Sequence, residues 1–485
     1  MRTPLAPKLA LARSLGAFSR RRGGGGTSAP GKLLVRLDPG AIGALAARLP
    51  AGSIVISATN GKTTTAAFTA GILTQHGISL VHNRAGANMA GGIASTLLAA
   101  ARPRGAIAGE LGLFEVDEFW LGDLVSQLHP RAILLGNLFR DQLDRYGELE
   151  SIAERWATTL AADSAREARL VLNADDPMVA DLGHARGNTE RRAHGSHRQD
   201  SETDAGDARV LYYGIDDDSL ALAGMAHAAD AKHCRRCGAP YAFDAIYMGH
   251  LGHYHCPSCG QARPTPTVLA TDLTLEGVRS ARFTLHTPAG AAQVTLTLPG
   301  LYNVYNALAA AALATALHIP LPTIVAGLQR TLPAFGRAES VTVADRELRI
   351  MLVKNPAGAN EVLRTLALEP GQHDLLGILN DNIADGRDVS WIWDADFELL
   401  DGRLRRITCA GTRAAELALR LKYAGIDPAC IHVQEDLTAA LDAAAADRPA
   451  LDGAAVPLYA LPTYTAMLAL RRLLVARGEA QSAWS

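Results

Sequence analysis

The stretch Ile54-Val55-Ile56-Ser57-Ala58-Thr59-Asn60-Gly61-Lys62-Thr63-Thr64-Thr65 decides the reading of this chain. A β-branched strand runs into a small-residue turn, then Gly-Lys-Thr, then a segment of helical character. That order builds a nucleotide phosphate site. Backbone N–H groups of the turn wrap a phosphate, and the helix N-terminus adds partial positive charge. Gly61 allows close backbone approach, Lys62 reaches the outer phosphates, and the Thr63 hydroxyl can ligate magnesium. The first glycine of the general G-x-x-x-x-G-K-[ST] pattern is replaced by Ile56. A chance Gly-Lys-Thr at a helix start is the plain alternative, and the preceding strand argues against it.

Outward from this loop, short apolar runs alternate with Ala-rich helical stretches. Strands are predicted over 53–57, 105–108, 132–135 and 170–172, with helices over 64–76 and 90–100. Alternation of this kind implies a parallel, doubly wound α/β sheet, with ligands at the C-terminal strand ends. Residues 31–50 read as a strand and helix leading in, and 183–207, polar and poor in apolar anchors, as a flexible loop. Two strands over 282–286 and 294–298 precede helices over 307–316 and 321–332. After a linker at 333–337, a second α/β unit has strands at 349–353, 374–379 and 406–409. Its helices are at 359–366, 413–423 and 465–477. The domains are then 1–48, a basic segment and lead-in; 49–333, the nucleotide-binding unit; and 334–485, the C-terminal unit.

The 485 residues are 48% hydrophobic and 20% charged, a globular composition, and the net charge of −2 excludes a global field for nucleic acid. Residues 1–22 are locally basic (Arg2, Lys8, Arg13, Arg20, Arg21, Arg22), with Leu5, Leu9, Ala12, Leu15 and Phe18 on one helical stripe. Such a helix can lie on an anionic membrane surface, or the segment can be a solvated tail. No cleavable signal or membrane-spanning segment is expected.

Cys234-x-x-Cys237 and Cys256-x-x-Cys259 are separated by eighteen residues. Each pair makes a knuckle, and Gly238 and Gly260 permit the tight turns. Four thiolates close a tetrahedral shell, so a structural zinc ribbon over 230–263 is expected, in a reducing cytoplasm. Arginines and aromatics beside the knuckles leave nucleic-acid or protein binding as a minor option. Cys409 and Cys430 read as incidental thiols.

Carboxylates after the strand read at 105–108, Glu110 and Glu115-Val116-Asp117-Glu118, fall at the rim of the phosphate loop. Glu115 is the candidate magnesium ligand there, against the alternative of an acidic helix start. Asn137 to Asp144 reach the same rim. Asp175-Asp176-Pro177 follows the next strand and reads equally as a turn. Asn83-Arg84-Ala85-Gly86-Ala87-Asn88 is a substrate-side loop or an ordinary Gly-rich connection, with Asn83, Arg84 and Asn88 as candidates. The aspartates of Asn380–Asp394 follow a strand and suggest a site, with Trp391 and Trp393 expected in the core.

Together these motifs resemble the Mur ligase superfamily of ATP-dependent ligases. The resemblance rests on Ala58–Thr64, Glu115, Asn137–Gly147, Leu172–Pro177, Leu298-Pro299-Gly300-x-x-Asn303-x-x-Asn306-Ala307 and Phe335-Gly336-Arg337-Ala338-Glu339. Within it, the cysteine insertion, Val353–Glu361 and Asp385–Asp394 are similar to the MurT family, ligase subunits that work with the glutamine amidotransferase GatD. The resemblance implies ATP and magnesium, with Thr59, Asn60, Gly61, Lys62, Thr63, Thr64, Asn303 and Arg337 at the nucleotide and Thr63 and Glu115 at magnesium. It implies amidation of the D-glutamate α-carboxylate of the lipid II stem peptide, at the inner face of the membrane. An aspartate of the C-terminal domain then assists the partner's Cys-His pair, with Asp388 the first candidate and Asp385 the second. Two departures stand out. Gln142 replaces a magnesium-holding histidine, and Glu148–Leu160 contains no lysine to carbamylate. The alternatives are a ligase adding an amino acid, of the Mur or folylpolyglutamate type, and a zinc-ribbon binding module with a regulatory nucleotide site.

Overall fold

The computed structural model describes residues 5–21, 28–83, 87–102, 106–141, 149–184, 209–225, 229–331, 337–446, 450–451 and 454–480. Two sheets, each with its own apolar core, organise these residues. Helices α1 (Leu5–Arg21), α2 (Ala29–Leu37) and α3 (Ala41–Ala46) lead in. They are followed by β1 (Ser53–Ser57), α4 (Lys62–Gln75), β2 (Leu80–His82), α5 (Ala90–Ala100) and β3 (Leu111–Glu115). Next come α6 (Leu121–Leu128), β4 (Ala132–Leu135), α7 (Leu149–Ala161), β5 (Arg169–Asn173) and β6 (Val210–Ile215). The hairpin β7 (Ala242–Met248) and β8 (Leu251–His255) carries the cysteine module, and β9 (Val268–Glu276), β10 (Ser280–Thr287) and β11 (Gly290–Leu296) follow it. Two helices, α8 (Leu301–Ala316) and α9 (Leu321–Arg330), complete the unit.

The large sheet runs β11-β10-β9-β6-β5-β4-β1-β3-β2. Strands from β2 to β6 pair in parallel, as the alternating pattern predicts, whereas β9, β10 and β11 form an antiparallel meander. The sheet is therefore mixed rather than wholly parallel. Every residue of β1 is buried, which is why it reads as an unbroken β-branched run. β1 lies between β3 and β4, at the point where the strand order reverses. A crevice opens there, and the phosphate loop fills it. The Ala-rich α8 packs closely on α4 because its side chains are small.

The smaller sheet contains β12 (Arg337–Val343), β13 (Arg346–Met351), β14 (His373–Ile378), β15 (Leu404–Ala410), β16 (Ile431–Val433) and β19 (Leu458–Pro462), in the order β12-β13-β19-β14-β15-β16. Helices α10 (Pro356–Ala367), α11 (Ala414–Tyr423), α12 (Leu437–Ala446) and α13 (Tyr464–Ala476) cover it, and β17 (Ala450–Leu451) and β18 (Ala454–Ala455) form a separate hairpin.

Four expectations are corrected. Of the apolar run read at 105–108, the described residues 106–108 are not a core strand. Ala108 N–H bonds back to Ala100 O and Arg102 N–H to Ala106 O, and the strand is β3, ending on Glu115 itself. Residues 31–50 hold no strand. Pro30 sits in the first turn of α2, and Gly31 lies against Gly91 and Ser95 of α5, so the Leu33-Leu34-Val35 run packs as a helix. Leu9 and Ala12 of the basic stripe are buried against the lead-in core, Arg13 donates to the Ala101 carbonyl, and Lys8 pairs with Asp38 at 2.9 Å. That part of the stripe faces the protein. Trp393 is 49% exposed, its ring edge on Tyr423. The predicted loop over 183–207 lies almost wholly outside the described residues. No described helix is long and apolar enough to cross a membrane.

Candidate functional site

The phosphate loop forms as the sequence requires. Gly61 adopts φ 83° and caps α4, and a Cβ there would sit 1.9 Å from Asn306 Oδ1, so no side chain fits. Asn137, just past β4, braces the loop. Its Oδ1 accepts from Asn60 N–H at 2.9 Å and its Nδ2 donates to Asn60 O at 3.1 Å. Phe139 N–H donates to Thr59 Oγ1 at 3.1 Å.

Thr63 Oγ1 donates to Glu115 Oε2 at 2.9 Å. The two oxygens predicted to share a magnesium are thus adjacent, one from a helix start and one from a strand end. Lys62 is buried, with its Nζ bonded to Glu118 Oε2 at 2.9 Å, to Thr59 O at 3.3 Å and to Ala58 O. Burial works against its charge, yet the charge and hydrogen bond of Glu118, with Asp117 and Glu115, prevail and raise its pKa.

A cavity of about 370 Å³ opens over the loop, between the two units. Thr59–Thr64, Asn88, Glu115 and Asn306 line it from one side, and Lys354, Gly358 and Glu361 from the other. Lys354 pairs with Asp141 and reaches Thr59 O at 3.3 Å. Asn355 caps α10 through Gly358 N–H and donates to Asn60 Oδ1 at 3.0 Å. The C-terminal unit thereby touches the phosphate loop directly. Burial raises the pKa of Glu361 against the opposing charge of Arg364, 2.6 Å away.

The other predicted residues divide. Asn88 lines the cavity. Asn83 is buried, exchanging hydrogen bonds with both backbone groups of Glu115 at 2.8 and 2.9 Å, so it aims the strand end rather than facing a substrate. Asn303 lies behind Asn306 and accepts from its amide at 3.2 Å, so Asn306 is the one in the cavity. Arg84 and Gln142 lie outside the described residues. Arg337 is described in its backbone, which pairs with Met351. Asp385 is buried and accepts from Thr465 N–H at 2.7 Å and from the Thr465 hydroxyl, capping the first turn of α13. Asp388 is exposed. Hydrogen bonds from Ser390 hold its pKa below the ordinary carboxylate value. Lys354, Tyr305 and Glu361 were given no role in the sequence reading, whereas Asp141, in the segment read at the rim, does line the cavity. Lys354 lies just before the cap Asn355 and Glu361 lies within α10, so no helical spacing links the two.

The four cysteine sulfurs lie within 4.8 Å of one another, with Cys234–Cys259 at 3.6 Å and Cys237–Cys256 at 3.5 Å. Sulfurs around a tetrahedral zinc stand roughly 3.8 Å apart, given a Zn–S bond of about 2.3 Å. The donor set fits such an ion. Both knuckles turn on a glycine at φ 76°.

A strand–loop–helix phosphate cradle, a carboxylate ending the neighbouring strand and a second α/β unit closing over both define a Mur-ligase-type protein. The Mur ligase middle domain model matches residues 56–223, and the MurT ligase C-terminal model matches 352–467. The chain is 33% identical over 436 residues to the MurT subunit of lipid II isoglutaminyl synthase (glutamine-hydrolyzing) from Staphylococcus aureus strain N315, covering 88% of this chain and 89% of that one. It is 31% identical over 465 residues to the same subunit of Streptococcus pneumoniae, covering 95% of each. The fold is similar to MurF from Acinetobacter baumannii, with a TM-score of 0.62 at 19% identity, over 92% of this chain and 80% of that one. The chain belongs to the MurT family.

Proposed function

We propose that this chain is the ligase subunit of a lipid II isoglutaminyl synthase. It amidates the D-glutamate α-carboxylate of the stem peptide, using ammonia released by a GatD-like glutaminase subunit. Likeness to MurT subunits along nearly the whole chain carries this reading over an amino-acid-adding ligase or a binding module.

The residues supply the chemistry in order. A carboxylate is a poor electrophile, so its oxygen first attacks the γ-phosphorus of ATP, forming an acyl phosphate and releasing ADP. Thr59–Thr64 cradle the phosphates, and Lys62 leaves Glu118 to neutralise the γ-phosphate. Thr63 and Glu115 would hold a magnesium ion, which would supply charge neutralisation for the phosphates. Asn306 and Tyr305 border the nucleotide, and Lys354 brings a second cation from the C-terminal unit. Ammonia then attacks the acyl carbon, the C–O bond to phosphate breaks, and the departing phosphate takes up the proton that nitrogen loses. The four cysteines hold a structural zinc. Asp388, exposed on the segment after β14, is the residue proposed to orient the partner's histidine.

The test is ATP turnover with lipid II and glutamine, with and without the co-purified amidotransferase, followed by mass analysis of the stem peptide. Conversion of acid to amide, dependent on the partner when glutamine is the donor, is expected. An unshifted peptide mass, or turnover driven by a free amino acid without the partner, would overturn the reading.

A further inference from the structure

The cysteine module packs against segment 137–140, which braces the phosphate loop. The turn between β7 and β8 places His250 on Phe139, ring centroids 4.6 Å apart, and a Cβ on Gly249 would meet the Phe139 ring at 2.7 Å. His250 Nδ1 accepts from Asp230 N–H at 3.4 Å, and its Nε2 faces Asp176 Oδ2 at 3.5 Å. Asp176 in turn accepts from Leu138 N–H at 2.8 Å, and Asp230 accepts from Arg140 N–H at 2.9 Å. Segment 137–140 is therefore clamped on both sides. One side is the cysteine module, and the other is Thr59 and Asn60 of the phosphate loop.

A second bridge runs in parallel. Arg263, four residues past Cys259, donates to Asp175 Oδ1 at 2.6 Å and to Ile215 O at 2.8 Å. Asp175 Oδ2 accepts from Tyr305 OH at 2.8 Å, and Tyr305 lines the nucleotide cavity beside Asn306. Asp175 has no exposed surface, and its carboxylate is held by Arg263, Tyr305 and the Ile215 N–H at 2.9 Å. Arg263 N–H also bonds to Tyr254 O, which fixes the arginine to the strand that leads into Cys256.

We propose that His250 and Arg263 are positioning residues for the nucleotide, transmitting the integrity of the four-cysteine module to the phosphate loop and to Tyr305. A module of this kind is otherwise a remote staple. Here its hairpin packs behind Phe139 and Arg140, and Met248 at the end of β7 lines the cavity, so ordering the module orders the backing of Asn137 and Tyr305. Packed, hydrogen-bonded chains couple in this way when both ends share one rigid element. The inference concerns nucleotide binding alone and holds whichever acceptor the enzyme uses.

The test uses the full chain and measures the dissociation constant for ADP, with and without stripping of cysteine-bound zinc by a chelator. Near-UV circular dichroism reports the fold. Arg263→Met and His250→Phe are expected to weaken ADP binding about tenfold, the scale of a lost buried charged hydrogen bond, with Arg263→Lys recovering part of the loss. Stripping zinc from the native chain is expected to weaken ADP binding similarly, and to add less in each variant and least in the double variant, because each variant already breaks one of the two bridges. Unchanged ADP affinity after stripping, in folded protein, overturns the proposal. So does an equal, additive effect of stripping in the variants. Where a variant fails to fold, the stripped native chain and Arg263→Lys still decide. A native chain that binds no ADP would instead overturn the nucleotide reading of the cavity.

Discussion

Thr63 at the start of α4 and Glu115 at the end of β3 meet oxygen to oxygen at 2.9 Å, although they lie fifty-two residues apart in sequence. A helix start and a neighbouring strand end converge there because β1 and β3 pair in parallel, with Ile56 opposite Glu115. Removing either oxygen should leave the fold intact and loosen the metal. Glu115→Ala is expected to lower ATP turnover about 100-fold. The magnesium concentration for half-maximal rate should rise about tenfold. A magnesium titration of turnover checks both, and an unaltered magnesium requirement would remove Glu115 from the metal site.

Lys354 reaches across from the C-terminal unit to Asp141 and Thr59. A cation arriving on a separate unit can act only when the units close, so its loss should strike catalysis harder than nucleotide binding. Lys354→Ala is expected to reduce ATP turnover about 100-fold, as for removal of one electrostatic stabiliser. ADP affinity should stay within about threefold, since the phosphate loop of the other unit is intact. Rate and affinity measured on the same preparation distinguish this from a weakened loop, in which the two fall together.

His373, at the start of β14, is buried and packs edge-on against Tyr459, and burial lowers its pKa from 6.5. The unfolded chain therefore takes up a proton near pH 6.5 that the folded chain refuses until lower pH. Stability from this residue is complete above pH 6.5 and is lost as the pH falls below it. Thermal midpoints between pH 7.5 and pH 5 should decline less steeply in His373→Asn than in the native chain. Parallel curves would show that His373 does not set the acid limb.

The phosphate loop was legible because all its chemistry lies within a dozen consecutive residues, and the cysteine knuckles because their spacing is a metal's geometry. The true strand at Leu111–Glu115 was displaced in the reading because Gly105–Ala108 is just as apolar, and only the backbone bonds of Ala108 to α5 tell them apart. Asn83 looked like a substrate residue because a buried asparagine serving a neighbouring strand end has no local sign. Lys354 and Asp141 are 213 positions apart, and no periodicity links residues on separate sheets. Of the meander β9 to β11, the strands over 282–286 and 294–298 were read, and the short turns joining the three strands impose their antiparallel pairing.

The two aspartates after β14 do different work, and one experiment separates them. Asp385 caps α13 through both its oxygens, so Asp385→Ala should cost about 1–2 kcal/mol, as for loss of a helix cap. That is a drop in thermal midpoint of roughly 2–8 °C, with glutamine-driven and ammonia-driven amidation reduced alike. Asp388 is exposed and, among the described residues, is bonded within its own turn to Ser390. Asp388→Asn should leave the midpoint unchanged and spare amidation from added ammonium salt. Glutamine-driven amidation in the assembled complex should fall about 1000-fold, the scale of an unsupported histidine. Equal loss from both nitrogen sources would place Asp388 in the ligase site instead, and no loss from either would return the role to another carboxylate of the 381–394 segment.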